Sequence, residues 1–498
     1  MKFLWVLYVE LLILLSTTNA ISNITACNSL GQIDKNKILS ICQKIKNNIS
    51  PNSHVYYPPS LNYYNNTYHY SISSTNLSVC SVVPCTTEDV SIIIKIIGEN
   101  RVPFAIKSGG HSLNPGFSST GGIHISMQCF NNVTYNPNDE TVDVGPGLVW
   151  DDVYKQLQSY NVSVLGGRVS GVGVGGFLLG GGYGWKSSQD GLGIDNIVEY
   201  ELVTPNGTII NVNNQTYPDL FFGLKGGLNN FGIVTNFKMR ALSQTLVYGG
   251  VLIYLKPKID DVINAVVNFQ KTNQDPKAQI LCDFTSILGV FAMNINIFYD
   301  APIAPPNTFD VFTSILHEGE LETQSYLSFV QAVPVFISAN MRGRFHTVSV
   351  RNISKALMEK VRDLYINYTL PIIPSTQTVV TFSVEPFLSS YLNKSQGGAY
   401  PHSPSNPLFL ICLQFGWILE SSDQFFINAI QTVAKALLQT AIEDSQDLEG
   451  LEEILYPNYA LIDTPLTKMY GSNVDRLKSI RQQVDPNGVM CLTGGFRF

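Results

Sequence analysis

The stretch Ile106-Lys107-Ser108-Gly109-Gly110-His111-Ser112 decides the reading of this chain. An apolar run over residues 102–106 precedes it and predicts a strand. Two adjacent glycines let the backbone take positive φ, so successive N–H groups point into one concavity, and such a nest binds phosphate. His111 stands beside it. Taken alone, a histidine in a turn is more often a solvated or satisfied side chain than a functional one, so its neighbours must decide its role.

Working outward, two more glycine-rich surfaces follow. Residues 166–184 begin Gly166-Gly167-Arg168-Val169-Ser170-Gly171-Val172-Gly173-Val174-Gly175-Gly176 and end Gly180-Gly181-Gly182-Tyr183-Gly184. The third is Gly226-Gly227-Leu228-Asn229-Asn230-Phe231-Gly232. Glycine lets main chain approach a flat or extended ligand closely, and three such surfaces suit a dinucleotide. Residues 171–176 match the Rossmann glycine spacing, but they sit in a loop without a βαβ frame, so the match is accidental.

Around these loops short strands alternate with helices. Thr87 as N-cap, Glu88 and Asp89 in the first turn, and Val90, Ile93, Ile94 and Ile97 on one face predict a helix. Strands are expected at 122–127, 141–145 and 197–204, with a helix at 149–160 and a turn at Pro205-Asn206-Gly207. Beyond 245 the pattern changes: strand-like runs at 249–255, 292–299, 379–384 and 408–417 alternate with helical segments at 258–271, 354–368 and 422–442. A last helix is expected at 473–484, stopped by Asp485-Pro486. The fold class is therefore α+β with two domains. The organised part starts near Ser78, after an N-terminal segment (21–77) that holds one helical stretch (33–49) and a connector; the first domain spans 78–244. A second α/β domain on an antiparallel sheet spans 245–450, and a tail (451–498) returns to the first.

Bulk properties agree. At 498 residues and 55.0 kDa the chain exceeds what one core usually serves. Its formal charge of −7, with no basic stripe, argues against nucleic acid and anionic membrane surfaces and leaves a small molecule as partner. Residues 1–20, with Lys2, an apolar stretch and Thr18-Asn19-Ala20, read as a signal peptide; Glu10 and the short length argue against a membrane anchor. Eleven Asn-x-Ser/Thr sequons, Asn206 among them, fit a secreted glycoprotein. The eight cysteines lack metal-site spacing, and no metal is expected. Cys27, Cys42, Cys80 and Cys85 are candidates for one or two disulfides holding the N-terminal segment.

At the quoted motifs the chain resembles the FAD-linked oxidoreductases of the vanillyl-alcohol-oxidase (PCMH) type, in the berberine-bridge-enzyme-like branch, from about Ser78 to Phe498. The loop 107–112 with Asn114-Pro115-Gly116-Phe117-Ser118-Ser119, the tract 166–184, residues 226–235 and the tail from Tyr456 through Asp485-Pro486 occur in the family's order. The resemblance implies a PCMH-type FAD-binding domain, completed by the tail, and a substrate domain whose sheet covers the flavin ring. It implies FAD held covalently by His111, with Lys107, Ser108, Gly109, Gly110, Ser112, Gly171, Val172, Gly175, Gly176, Gly181, Val234, Tyr456 and Asn458 around the cofactor.

Some members carry a second link from a cysteine at the position of Val169, so one histidyl link is expected here. A valine at the position of Val172 is associated with oxygen access, which favours an oxidase. Tyr456-Pro457-Asn458-Tyr459 resembles the family's Tyr-x-Asn-Tyr element and implies Tyr459 as base, assisted by Glu385, with Gln414 binding substrate hydroxyls. A phenol of pKa near 10 serves as base only if neighbours stabilise its phenolate. Relatives acting on sugars or alkaloids often have Tyr where this chain has Leu113, so no substrate class carries over. The function expected is a secreted oxidase of a small alcohol, a sugar or secondary metabolite, using O2 and giving H2O2. Alternatives are a dehydrogenase with an organic acceptor and a non-catalytic flavin-binding protein.

Overall fold

Three sheets of four or more strands carry the fold in the computed structural model. The structure describes residues 34–287, 290–332, 339–372, 378–405, 407–448 and 453–498; the leader expected at 1–20 and Cys27 lie outside them. The first sheet is preceded by helix α1 (Lys35–Lys46) and built from strands β1 (His54–Tyr56), β2 (Cys80–Val83), β3 (Phe104–Lys107) and β4 (Ile123–Ser126). Helix α2 (Leu61–Thr67) lies between β1 and β2, and α3 (Thr87–Asn100) between β2 and β3. The order is β1-β2-β4-β3, with β2, β4 and β3 parallel and β1 antiparallel to β2. The apolar stripe of α3 packs Ile93 and Ile97 with Ile38 and Ile45 of α1.

Residues 34–77 are thus more than a connector. Helix α1 buries one face, β1 extends the sheet, and disulfides join Cys42 to Cys80 and Cys85 to Cys129. Cys129 joins the expected set because β4 runs parallel to β2 and brings its far end to the same edge as Cys85. The cap of α3 sits one residue earlier than expected. Thr86 Oγ1 accepts from the Asp89 N–H at 3.1 Å, while Thr87 Oγ1 donates to Glu201 Oε1 at 2.7 Å. Both threonines have the chemistry of a cap, and only the path of the turn chooses between them.

The second sheet combines β5 (Val133–Asn136), β6 (Thr141–Val144), β7 (Ile197–Val203), β8 (Ile209–Val212) and β9 (Ile233–Arg240). All pairs are antiparallel, in the order β5-β6-β9-β7-β8. Helices α4 (Trp150–Leu157) and α5 (Val174–Gly180) pack on it, and tail residues Leu477, Ile480, Phe496 and Phe498 share its core.

The third sheet has seven antiparallel strands: β10 (Val247–Leu255), β11 (Ala278–Ile287), β12 (Val290–Tyr299), β13 (Leu321–Gln324), β14 (Arg342–Val350), β15 (Val379–Glu385) and β16 (Phe409–Trp417). Their order is β13-β10-β12-β11-β15-β16-β14. Strand side chains alternate between faces. One set, including Cys282, Phe284, Met293, Ile295, Phe382, Leu413 and Phe415, packs against α6 (Ile259–Thr272), α7 (Lys355–Leu364) and α8 (Asp423–Glu443). Each such side chain contributes about 1.5–3 kcal/mol by leaving water. The opposite set is polar and faces a cavity. The fold is α+β, with an antiparallel sheet in the second domain, as expected.

Candidate active site

A cavity of about 870 Å³ lies between the glycine loops and the inner face of the seven-stranded sheet. Its first wall is main chain. The loop after β3 and the tract before α5 press together so closely that a Cβ on Gly109 would stand 2.5 Å from Gly173 Cα. Ser108 ties the two: its Oγ donates to Pro146 O at 2.5 Å and accepts from Gly175 N at 3.0 Å. Gly166 and Gly167 lie flat on the indole of Trp150, where a Cβ would come within 2.3 and 2.6 Å of ring atoms. At Gly110 the backbone has φ +73°, the left-handed conformation that glycine takes without strain.

His111 lines the cavity beside this loop. Burial pushes its pKa down to about 4, so the imidazole is neutral at any ordinary pH, and its Nε2 is buried without a hydrogen-bond partner. Gly176, in α5, has no atom within 4 Å of the point where a Cβ would stand, and so leaves open space for a ligand. An unsatisfied imidazole nitrogen, an amide-lined loop and an open glycine face together fit a flavin dinucleotide.

Among the expected cofactor residues, Ser108, Gly109, Gly110, His111, Ser112, Val172, Gly175, Gly176, Val234, Tyr456 and Asn458 line the cavity. Lys107, Gly171 and Gly181 are not among the lining residues. Lys107 folds back under Gly110 towards His69 and His124, and burial lowers its pKa to about 8. Gly171 forms a turn at φ +80° held by Asp151, and Gly181 packs on Tyr456.

The second wall is made of side chains. Val379, Thr381, Ser383 and Glu385 of β15 point inward at every second position, beside Cys412 and Gln414 of β16. Across the sheet come Asp283 and Thr285 of β11 and Asn294 and Asn296 of β12. Asp283 accepts from Ser383 Oγ at 2.5 Å and from Asn296 Nδ2 at 2.8 Å, and burial pushes its carboxyl pKa up. Asn294 faces Asp283 across the strand pair, and its Oδ1 is buried without a partner.

Where the walls meet, Tyr459 joins Glu385 and Arg168. Tyr459 Oη accepts from Arg168 Nη2 at 3.0 Å and donates to Glu385 Oε1 at 3.3 Å. Arg168 Nη2 also stands 2.8 Å from Glu385 Oε2, with the two side chains only 8% and 1% exposed. That last contact is an ion pair without hydrogen-bond alignment, since Oε2 has no hydrogen-bond donor. Burial opposes the charge of Arg168, but Glu385 and Tyr459 outweigh it and hold the guanidinium protonated. Burial and then the charge of Glu385 push the pKa of Tyr459 well above 10, against the lowering pull of Arg168. The neighbours thus favour the protonated phenol. Tyr456 is fixed differently: its Oη accepts from Gly182 N and Asn458 Nδ2, both at 3.0 Å.

Arg168 is the residue sequence reasoning missed. The signal was there: one cation inside a tract of glycines and apolar residues needs a buried anion nearby. Tyr70 and Phe345, which also line the cavity, carry no comparable mark.

Family models match in two places, an FAD binding domain over residues 79–213 and a berberine and berberine-like segment over 455–493. An FAD-dependent monooxygenase of Aspergillus calidoustus is 33% identical over 447 residues, covering 86% of this chain and 84% of its own. The chain belongs to the berberine-bridge-enzyme-like FAD-linked oxidoreductases. This berberine-bridge-like enzyme also shares its fold with solved structures. One is the xylooligosaccharide oxidase of Myceliophthora thermophila, solved with xylobiose, at TM-score 0.75, 18% identity and coverage of 91% and 97%. Another is the glucooligosaccharide oxidase of Acremonium strictum, whose FAD is 6-S-cysteinyl and 8α-N1-histidyl linked, at TM-score 0.74, 15% identity and the same coverage.

Proposed function

We propose that this enzyme is a secreted oxidase of a hydroxylated small molecule, a sugar or related secondary metabolite, with FAD held by one bond to His111. The observation that carries the reading is the Arg168–Tyr459–Glu385 cluster at the junction of the two walls. Bound FAD would supply a two-electron acceptor for the substrate's hydride, reoxidised by O2 to give H2O2. Tyr459 is already both acceptor and donor, so it receives the substrate hydroxyl proton while handing its own to Glu385. No free phenolate has to accumulate, which suits the high pKa of Tyr459. Arg168 offsets the negative charge whichever oxygen holds it. Gln414 and the Asp283–Asn294 face supply acceptors and donors for further hydroxyls, as the sugar oxidases of the same fold lead one to expect.

Single attachment is supported by Val169, which lines the cavity where a second link would start; the free thiols among the described residues, Cys282 and Cys412, lie instead on β11 and β16. Secretion is supported by the leader, the sequons and two disulfides, which persist in oxidising compartments. The name of the A. calidoustus relative favours a second reading, insertion of an oxygen atom into the substrate.

The test is turnover under 18O2 with a panel of sugars and phenolic alcohols, alongside a mass map of the His111 peptide. Stoichiometric H2O2, unlabelled product and FAD mass on that peptide are expected. Label in the product selects the monooxygenase, and a colourless acid pellet removes the covalent link.

A further inference from the structure

The segment 68–73 lies in the part of the chain that sequence alone treats as a connector, yet it straps the flavin loop to β14. Tyr70 N donates to Gly110 O at 3.0 Å, and Tyr70 O accepts from Asn340 N at 2.9 Å. Ile72 N donates to Met341 O at 3.0 Å, and Ser73 Oγ accepts from Gly343 N and Arg344 Nη1. His69 anchors the other side, with Nδ1 2.8 Å from Thr67 O and Nε2 3.0 Å from Ser118 Oγ. Between these fixed points the ring of Tyr70 lies over the imidazole of His111, with centroids 4.3 Å apart and planes 18° from parallel. Phe345 presents a second ring 6.4 Å from His111 and 10° from parallel.

A histidine ring turns broadly about its last torsion, so nothing intrinsic holds its plane. Alkylation nonetheless requires a nitrogen lone pair to point at one carbon. We infer that Tyr70 is a positioning residue whose stacked ring holds His111 in the plane needed for attachment to FAD. The inference rests on the covalent reading above. In the bond-forming reaction a His111 nitrogen joins the flavin 8α carbon, and one 8α C–H and the imidazole N–H are lost. Those two protons and two electrons pass to O2, which leaves as H2O2.

The role separates attachment from binding, because residue 70 meets the nest loop through its main-chain N–H on Gly110 O, which a side-chain substitution keeps. The test starts from full-length flavin-free protein given FAD in air. Two quantities are followed: flavin that co-elutes with native protein, and flavin that stays on the chain after acid precipitation. Tyr70→Phe is expected to match the parent. Tyr70→Leu should bind the same flavin but fix it about threefold to tenfold more slowly, the range set by one aromatic contact. Tyr70→Gln reads the same quantity if the leucine variant does not fold. Attachment at the parental rate in the ringless variants overturns the inference and leaves the link intact. Loss of bound flavin in a variant of parental thermal stability also overturns it, since the role would then be binding. Absence of acid-stable flavin in the parent removes both the link and the role of Tyr70.

Discussion

The two walls of the cavity are made on different plans. The cofactor wall is mostly backbone: glycines 109 and 173 bring main chain together, Gly176 leaves open space, and His111 stands beside them. The substrate wall is side chain: acids, amides and hydroxyls spaced two apart on four strands, from Asp283 to Gln414. A change on the first wall should therefore act through geometry and flavin content. On the second it should act through charge and turnover.

The largest effect expected is at the junction. Tyr459→Phe should keep its flavin and lose about 10²–10⁴-fold in kcat, the usual contribution of a positioned acid or base; near-parental turnover would dissolve the cluster as a catalytic unit. Arg168→Met comes next, because it leaves Glu385 buried with no cation. Denaturant titration should show a loss of about 3–5 kcal/mol in unfolding free energy. Glu385→Gln in the same background should recover part of it, and a simple sum of losses would contradict the pairing.

Gly176→Ala sharpens the contrast on the other side. Its Cβ meets no atom of the protein and replaces a glycine inside a helix, so the flavin-free chain should gain about 0.5–1 kcal/mol while holding FAD less well. Gly173→Ala, whose Cβ would fall 2.4 Å from Gly109 N, should lose both stability and flavin.

The smallest effect is in pH dependence, where the walls differ in sign. Near the cofactor loop burial lowers His69 and His111 to about 4, so the unfolded chain protonates first. Stability from these groups is complete above pH 6.5 and is lost as pH falls towards 4. Asp283, with its pKa raised, does the reverse and adds stability on the acid side. The drop in thermal midpoint from pH 6.5 to 4.5 should be shallower in His69→Gln, and the drop carried on to pH 3.8 should be steeper in Asp283→Asn; equal slopes would break the comparison.

The same difference explains what could be read from sequence. The glycine loops are contiguous, and each reports a local need for close approach, so the cofactor wall and His111 stood out. The inner face of the third sheet is spread over more than a hundred residues, and its central strands are buried on both sides. Cys412 and Gln414 therefore sit in an almost unbroken apolar run, Phe409 to Trp417, where alternation is invisible. Strands β11 and β14 escaped for the opposite reason: Gln279, Asp283, Arg342, Arg344 and His346 dilute the apolar signal. The direction of Lys107 was not legible because a strand's last residue can face either side, and only packing against His69 and His124 settles which.

The returning tail has one more consequence. Asn229 and Asn230 donate to Gly494 O and Phe496 O, and Tyr459 reaches Glu385 from beyond residue 455. During synthesis the glycine loops leave the ribosome hundreds of residues before the segment that closes them. The first two sheets must wait, half assembled and with apolar surface exposed, until translation has passed residue 496. A nascent chain stopped before Tyr459 has a nest for the phosphates and lacks the phenol that joins Arg168 to Glu385.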